Sequence, residues 1–119
     1  MRVLVIGADG MLGRAVQATA PARVELRPST VADLDITDAA GVDAALASRP
    51  DWVINCAAWT RVDDAEAHEA EATRINGEAV GIIGRTAARH GVRVLQISTD
   101  YVFDGMLGRP YREDDIPNP

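Results

Sequence analysis

Gly7, Gly10 and Gly13 stand directly behind the apolar run Val3-Leu4-Val5-Ile6, and Arg14-Ala15-Val16-Gln17-Ala18 continue as a helical stretch. Strand, glycine turn and helix, in that order, are what a dinucleotide diphosphate requires of a protein. Gly7 lets the chain leave the strand sharply, Gly10 lets the backbone approach a pyrophosphate, and Gly13 lets the helix pack against the strand. The helix N-terminus then offers unpaired N–H groups and a partial positive charge to the phosphates. The spacing is G-x-x-G-x-x-G, not G-x-G-x-x-G. Near the other end, Ser98-Thr99-Asp100 closes the run Val92–Ile97 and sets a hydroxyl and a carboxylate at the carboxyl end of a strand, where open α/β sheets bind ligands. Taken alone, Thr99 is a strand-end hydroxyl that satisfies its own backbone.

The remaining reactive side chains point to structure, not chemistry. Cys56 lies on an apolar strand and reads as a small core residue. His68 falls on an acidic, solvated helix face and His90 at a helix end, so neither reads as a metal ligand or base. Asp63, Asp64, Glu66, Glu69 and Glu71 fit helix-start electrostatics on a solvated surface, and no metal is expected there.

The elements that position these residues alternate. A helix from Met11 to Ala20 is stopped by Pro21, and Val24–Arg27 reads as a short second strand ended by Pro28-Ser29-Thr30. Asp33-Leu34-Asp35-Ile36 predicts a third short strand. Thr37 or Asp38 caps a helix over Ala39–Ser48 with Val42 and Leu46 on its buried face. Trp52–Ala58 is a further buried strand running into a turn. Thr60-Arg61-Val62-Asp63 predicts a capping box for a long helix, Ala65 to His90. Its buried face would carry Ala72, Asn76, Ala79, Val80, Ile83 and Ala87, with Gly91 as the C′ glycine. Val92–Ile97 is the last strand, and residues 104–119 form a loop without periodicity. The expected fold is an α/β, Rossmann-like, doubly wound parallel sheet, incomplete, as the N-terminal portion of an NAD(P)-binding domain spanning residues 1–119.

Composition narrows the function classes. The chain has 119 residues, 47% apolar and 25% charged, with a net charge of −6 and no basic cluster, which disfavours a nucleic-acid surface. A single cysteine makes no internal disulfide and fits a reducing cytoplasm. No signal peptide precedes the first strand and no apolar run approaches about eighteen residues, so a cytoplasmic protein away from the membrane is expected.

GADGMLG, LDITD, PDWVINCAAWTRVDDAE, the RINGEAVG helix and ISTDYVFDG together resemble the dTDP-4-dehydrorhamnose reductases, which are extended short-chain dehydrogenases/reductases. The resemblance runs from Arg2 to Pro119; NCAAWT-x-VD and STDYVFDG in order are specific to this group, whereas the glycine motif is shared by all extended members. It implies reduction of the 4-keto group of dTDP-6-deoxy-L-lyxo-4-hexulose to dTDP-L-rhamnose with NADPH or NADH. It also implies residue roles. Gly10, Met11 and Leu12, between Gly7 and Gly13, would lie along the pyrophosphate. Asp35 and Ile36 would flank the adenine, Ala57, Ala58, Trp59 and Thr60 would line the nicotinamide half, and Ile97 would also touch the cofactor. Thr99 matches the threonine of a Thr/Tyr/Lys catalytic set, supplying a hydrogen bond to the growing oxyanion, and Asp100 would touch the dTDP-sugar. Asn76 resembles the asparagine that braces neighbouring backbone in extended members. Trp59 stands where tyrosine or histidine is more common, and either stacks near the nicotinamide or fills space.

Two departures qualify the resemblance. The proton donor of this family is a tyrosine in Tyr-x-x-x-Lys, its phenol pKa lowered by the lysine. Neither Tyr101 nor Tyr111 has a lysine four residues on, and no lysine follows Thr60, so the later strands, the catalytic pair and the sugar-nucleotide domain are expected outside these residues and the fragment is expected to be inactive. The end of the second strand carries Arg27-Pro28-Ser29-Thr30 in place of the carboxylate that holds ribose hydroxyls in NAD-preferring folds. Arg27 with Ser29 or Thr30 could accept a 2′-phosphate, which favours NADPH and leaves NADH as the alternative. Finally, an open sheet edge invites pairing, so a homodimer is open. Two other readings share the fold: a non-catalytic binding module like the regulatory β subunit of methionine adenosyltransferase, and another extended-family sugar-nucleotide epimerase or dehydratase.

Overall fold

Val3, Leu4, Val5 and Ile6 are all buried, because the strand they form, β1 (Arg2–Ile6), lies inside the sheet with helices over both faces. The computed structural model describes residues 1–119. The sheet has four strands in the order β2-β1-β3-β4, with β2 at Glu25–Ser29, β3 at Trp52–Asn55 and β4 at Arg93–Gln96. All three pairings are parallel. From β1 the chain turns to β2 on one side and then crosses to β3 on the other, so the strand order reverses between β1 and β3. This is the doubly wound arrangement expected.

Alternation along β1 splits the interior in two. Leu4 and Ile6 join Val42 and Leu46 of α2 (Ala39–Leu46) and Ala79, Ile83 and Ala87 of α5 (Ala79–His90). Val3 and Val5 face the other way with Ala8, and Val16 of α1 (Met11–Thr19) packs there with the half-buried Cys56. Burial raises the Cys56 thiol pKa, in keeping with an inert core residue. Asp38 caps α2, accepting from the amides of Ala40 and Gly41, and Gly91 ends α5 at φ 69°.

Several expectations are corrected. Strand β2 runs through Pro28 to Ser29. Glu25 N–H donates to Met1 O and Ser29 O accepts from Ala8, so alternate residues bond inward and the missing N–H of Pro28 faces the open edge. Asp33–Ile36 is not a strand: Asp33 accepts from the amide and hydroxyl of Thr30, and Asp35 accepts from those of Thr37, so local turns replace ladder pairing. Leu34 and Ile36 still reach the core, which explains the misleading alternation.

The long helix is broken. It comprises α3 (Val62–Ala67), α4 (Glu69–Thr73), a π-helical turn (Arg74–Glu78) and α5, with His68 at φ −130°, ψ 38° separating the first two. The capping box does not form, since Arg61 is the N-cap without a side-chain bond and Thr60 contributes none. The π turn inserts one residue into the helical repeat, so Ile75 packs on the core and Asn76 is exposed, not buried. Residues 104–119 are a loop, as expected, but an ordered one: the Asp104 carboxylate accepts from Met106 N–H, Tyr111 OH and Asn118 Nδ2, and Asn118 N–H closes onto Val102 O.

Candidate dinucleotide-binding crevice

The carboxyl ends of β1, β3 and β4 meet where the strand order reverses, the place at which open α/β sheets take ligands. Gly7 turns out of β1 at φ +72°, a backbone that L side chains rarely adopt, and a Cβ there would lie 2.7 Å from Ala57 N. A Cβ on Gly13 would lie 2.2 Å from Gly7 O and 2.7 Å from Ala8 Cα. These two glycines therefore let the turn, the start of α1 and the loop after β3 approach to backbone contact. Gly10 is different, because a Cβ there meets only Gly7 O, at 3.3 Å. The turn would have to give by only a few tenths of an ångström to admit a side chain there.

The turn leaves donors free. Gly10 N–H donates to Gly7 O at 3.1 Å and Arg14 N–H to Gly10 O at 3.0 Å, while the amides of Met11, Leu12 and Gly13 find no partner within the chain. The side chain of Met11 is 92% exposed. From the next turn of α1, the Gln17 amide donates to Ala8 O at 2.6 Å and Gly13 O at 3.1 Å, locking helix and turn together. Sequence reasoning passes over Gln17; an amide one turn into a helix that opens on glycines is the signal available.

On the opposite wall, Ala57 is half-buried, Ala58 and Thr60 are exposed, and the Trp59 backbone is gripped by Asn76. The Asn76 Oδ1 accepts from Trp59 N–H at 2.8 Å and its Nδ2 donates to Trp59 O at 3.1 Å, as a neighbouring strand would. The expected brace is thus made by a side chain at the exposed π turn. The Trp59 indole donates to Arg61 O, lies 4.8 Å from the Arg61 guanidinium and packs 5.6 Å from the His68 ring. The ring is thereby engaged by its own loop.

Thr99 and Asp100 follow β4 and are exposed, as is Ile97. Thr99 Oγ1 accepts from Tyr101 N–H at 3.2 Å, capping the 3-10 turn Asp100–Val102, and lies 3.2 Å from Asp100 Oδ1. Asp35 is exposed, its carboxyl held below the ordinary range by the Thr37 hydroxyl and amide, whereas the Ile36 side chain is buried, leaving only its backbone to meet a ligand. Arg27 shares the α2 face with Leu4 and donates to Ser48 Oγ at 3.1 Å. Ser29 is buried and Thr30 is committed to Asp33. That bond uses Nη1 alone, and the other guanidinium N–H groups of Arg27 make no hydrogen bond within the chain. The chain has no lysine at all, as its twelve basic residues of this class are arginines.

The family model described as the RmlD substrate binding domain matches residues 1–119. A dTDP-4-dehydrorhamnose reductase of Streptomyces griseus is 47% identical over 120 residues, covering 99% of this chain and 40% of that protein. Among solved structures, a dTDP-4-dehydrorhamnose reductase of Clostridium acetobutylicum superposes with TM-score 0.94 at 41% identity, over 100% of this chain and 43% of that one. The Bacillus anthracis enzyme of the same name, solved in complex with NADP, gives TM-score 0.94 at 35% identity, over 99% of this chain and 43% of that one. The chain thus spans about two-fifths of the length of the curated relatives it matches.

Proposed function

This chain belongs to the RmlD substrate binding domain family, and from that premise we propose that it forms the cofactor-binding part of an NADPH-dependent reductase of a dTDP-linked 4-keto-6-deoxy sugar. The observation that carries the proposal is the run of unpartnered amides at Met11, Leu12 and Gly13, opening a helix at the reversal point of the sheet. Those donors, with the helix dipole behind them, fit a diphosphate. Gly7 and Gly13 hold the cradle at a closeness that a Cβ would abolish.

In this assignment Asp35 and Ile36 border the adenine, and Ala57 to Thr60, with Ile97, wall the nicotinamide half, where the small side chains of Ala57 and Ala58 permit close approach. When bound, the nicotinamide supplies the hydride that converts the sugar 4-ketone to a hydroxyl. Thr99 then turns its hydroxyl hydrogen from Asp100 to the substrate oxygen, stabilising the charge that grows there. Asp100 meets the sugar. The proton that completes the alcohol needs a donor with a lowered pKa, and neither tyrosine here has a lysine beside it. The site accordingly binds and orients, and turnover requires a Tyr-x-x-x-Lys pair. A reducing, cytoplasmic setting suits this assignment.

The test is a pair of titrations of the chain with NADPH and NADH, followed by nicotinamide fluorescence, and an assay of dTDP-sugar-dependent NADPH oxidation. Saturable binding with NADPH preferred, and no turnover by these residues alone, is expected. Absence of binding overturns the assignment. A clear preference for NADH reverses the cofactor choice, and turnover refutes the need for the pair.

A further inference from the structure

We infer that Gln96 is a positioning residue that ties the loop after β3 to the loop after β4 through a one-way relay of side-chain amides. Asn55 and Gln96 are paired across β3 and β4, each the last residue of its strand. Asn55 is wholly buried and its amide has to be satisfied on both sides. Its Oδ1 accepts from Ala57 N–H at 3.2 Å, and its Nδ2 donates to Gln96 Oε1 at 2.8 Å. Gln96 in turn donates from Nε2 to Ile97 O at 2.8 Å.

The direction of this relay follows from one group. Ala57 offers an N–H, so Asn55 has to present its oxygen there and its nitrogen to Gln96. Gln96 then has to present its oxygen to Asn55, which leaves its nitrogen for the exposed bond to Ile97 O. A backbone donor at one wall of the crevice thus dictates a backbone acceptor at the other. The peptide so held, Ile97–Ser98, immediately precedes Thr99, and Ala57 begins the segment that Asn76 grips at Trp59. The separation of the two walls is set by two amides in place of main-chain pairing, which ends at Asn55 and Gln96.

The relay makes an unusual prediction for Gln96→Glu. Ionised, the new carboxylate accepts from Asn55 Nδ2 but opposes Ile97 O; protonated, it restores both bonds, because a carboxylic acid carries one acceptor and one O–H donor. The ordinary glutamate pKa is about 4.3, and the facing carbonyl raises it. At neutral pH, NADPH affinity of Gln96→Glu should fall about tenfold relative to wild type. The deficit should close as the pH is lowered through the titration of the introduced carboxyl, with wild type at each pH as reference. The isosteric Gln96→Met, which can make neither bond, should bind about fivefold more weakly at every pH.

The carbonyl ¹³C shift of Ile97, read without cofactor, should titrate in Gln96→Glu and stay flat in wild type. A flat Ile97 carbonyl together with an unchanged affinity ratio overturns the inference. Should Gln96→Glu not fold at neutral pH, Gln96→Met decides: affinity within twofold of wild type overturns it. The affinity arm rests on the proposed dinucleotide function, and the carbonyl arm does not. Wild type that binds no NADPH while Ile97 still titrates in Gln96→Glu therefore sinks the function and supports the relay.

Discussion

Replacing Gly13 or Gly10 by alanine separates what the fold needs from what a dinucleotide needs. In Gly13→Ala the new methyl meets Gly7 O at 2.2 Å and Ala8 Cα at 2.7 Å, against an ordinary separation of about 3.5 Å or more. Both partners are backbone atoms of the turn, so neither swings aside, and α1 has to retreat by roughly 1 Å. Overpacking of this kind costs about 1–3 kcal/mol, and two backbone clashes place it at the upper end. At roughly 4 °C per kcal/mol for a chain of this size, the midpoint of thermal unfolding should drop by about 12 °C. The retreat also carries the Met11 and Leu12 amides away from a diphosphate, so NADPH binding weakens as well.

Gly10→Ala meets only Gly7 O, at 3.3 Å, and the φ of −71° at Gly10 suits any residue. Its stability cost should stay below about 1 kcal/mol, the loss expected when alanine replaces glycine at an N-cap. Its NADPH affinity should nevertheless fall at least about tenfold, since the methyl stands beside the free amides. Circular dichroism melts and fluorescence titrations of the three proteins give the comparison. A Gly13→Ala protein melting within about 2 °C of wild type, or a Gly10→Ala protein binding NADPH as wild type does, refutes the reasoning.

Two further outcomes follow from side chains that organise exposed loops. Asn76→Ala removes both bonds to the Trp59 backbone; at about 1 kcal/mol each, the Trp59 amide should exchange roughly tenfold to thirtyfold faster, and NADPH should bind more weakly, while unchanged exchange would show that the brace is not made in solution. Asp115 is held at about 2, against an ordinary 3.8, chiefly by its side-chain bonds to Arg109 and then by Arg112 N–H. A lowered carboxyl pKa stabilises above the unfolded value and is lost as pH falls, so the 104–119 loop should loosen between about pH 4 and pH 2. Asp115→Asn should already show that loosening at neutral pH in the amide shift of Arg112, and a shift identical to wild type there would contradict it.

The central βα turn is legible in the sequence because its demands are steric. Gly7 and Gly13 sit where any Cβ would strike backbone, and no other residue type answers that. Val42, Leu46, Ile83 and Ala87 are legible for a similar reason, since a helical stripe is a direct consequence of burial on one face. Misreadings arise where two local forces give one pattern. Leu34 and Ile36 alternate with aspartates as a strand would, yet each aspartate binds a neighbouring threonine and takes the backbone out of the ladder. Pro28 marks the end of β2 only on the assumption that both sides of the strand are paired; at an edge its missing N–H costs nothing.

The helix over residues 62–90 shows the limit of periodicity most clearly. One inserted residue at the π turn exchanges Ile75 for Asn76 on the core face, and composition carries no trace of that change of phase. The brace itself follows from resemblance, but not the exposed position from which it is made. Asn55 and Gln96 escape a reading along the chain, because each is a single amide ending an apolar strand and their pairing exists only across the sheet. Arg27 reads as a phosphate ligand from its place in the chain, and its single bond from Nη1 to Ser48 is visible only once β2 and α2 are folded together.

The central claim is that the α1 N-terminus holds a diphosphate, and a ¹H–¹⁵N titration of the chain with NADPH tests it most directly. The amides of Met11, Leu12 and Gly13 should move downfield together and saturate with the fluorescence signal, as free N–H groups do on gaining an anionic acceptor. Saturable binding that leaves those three amides in place and shifts residues elsewhere would contradict the account.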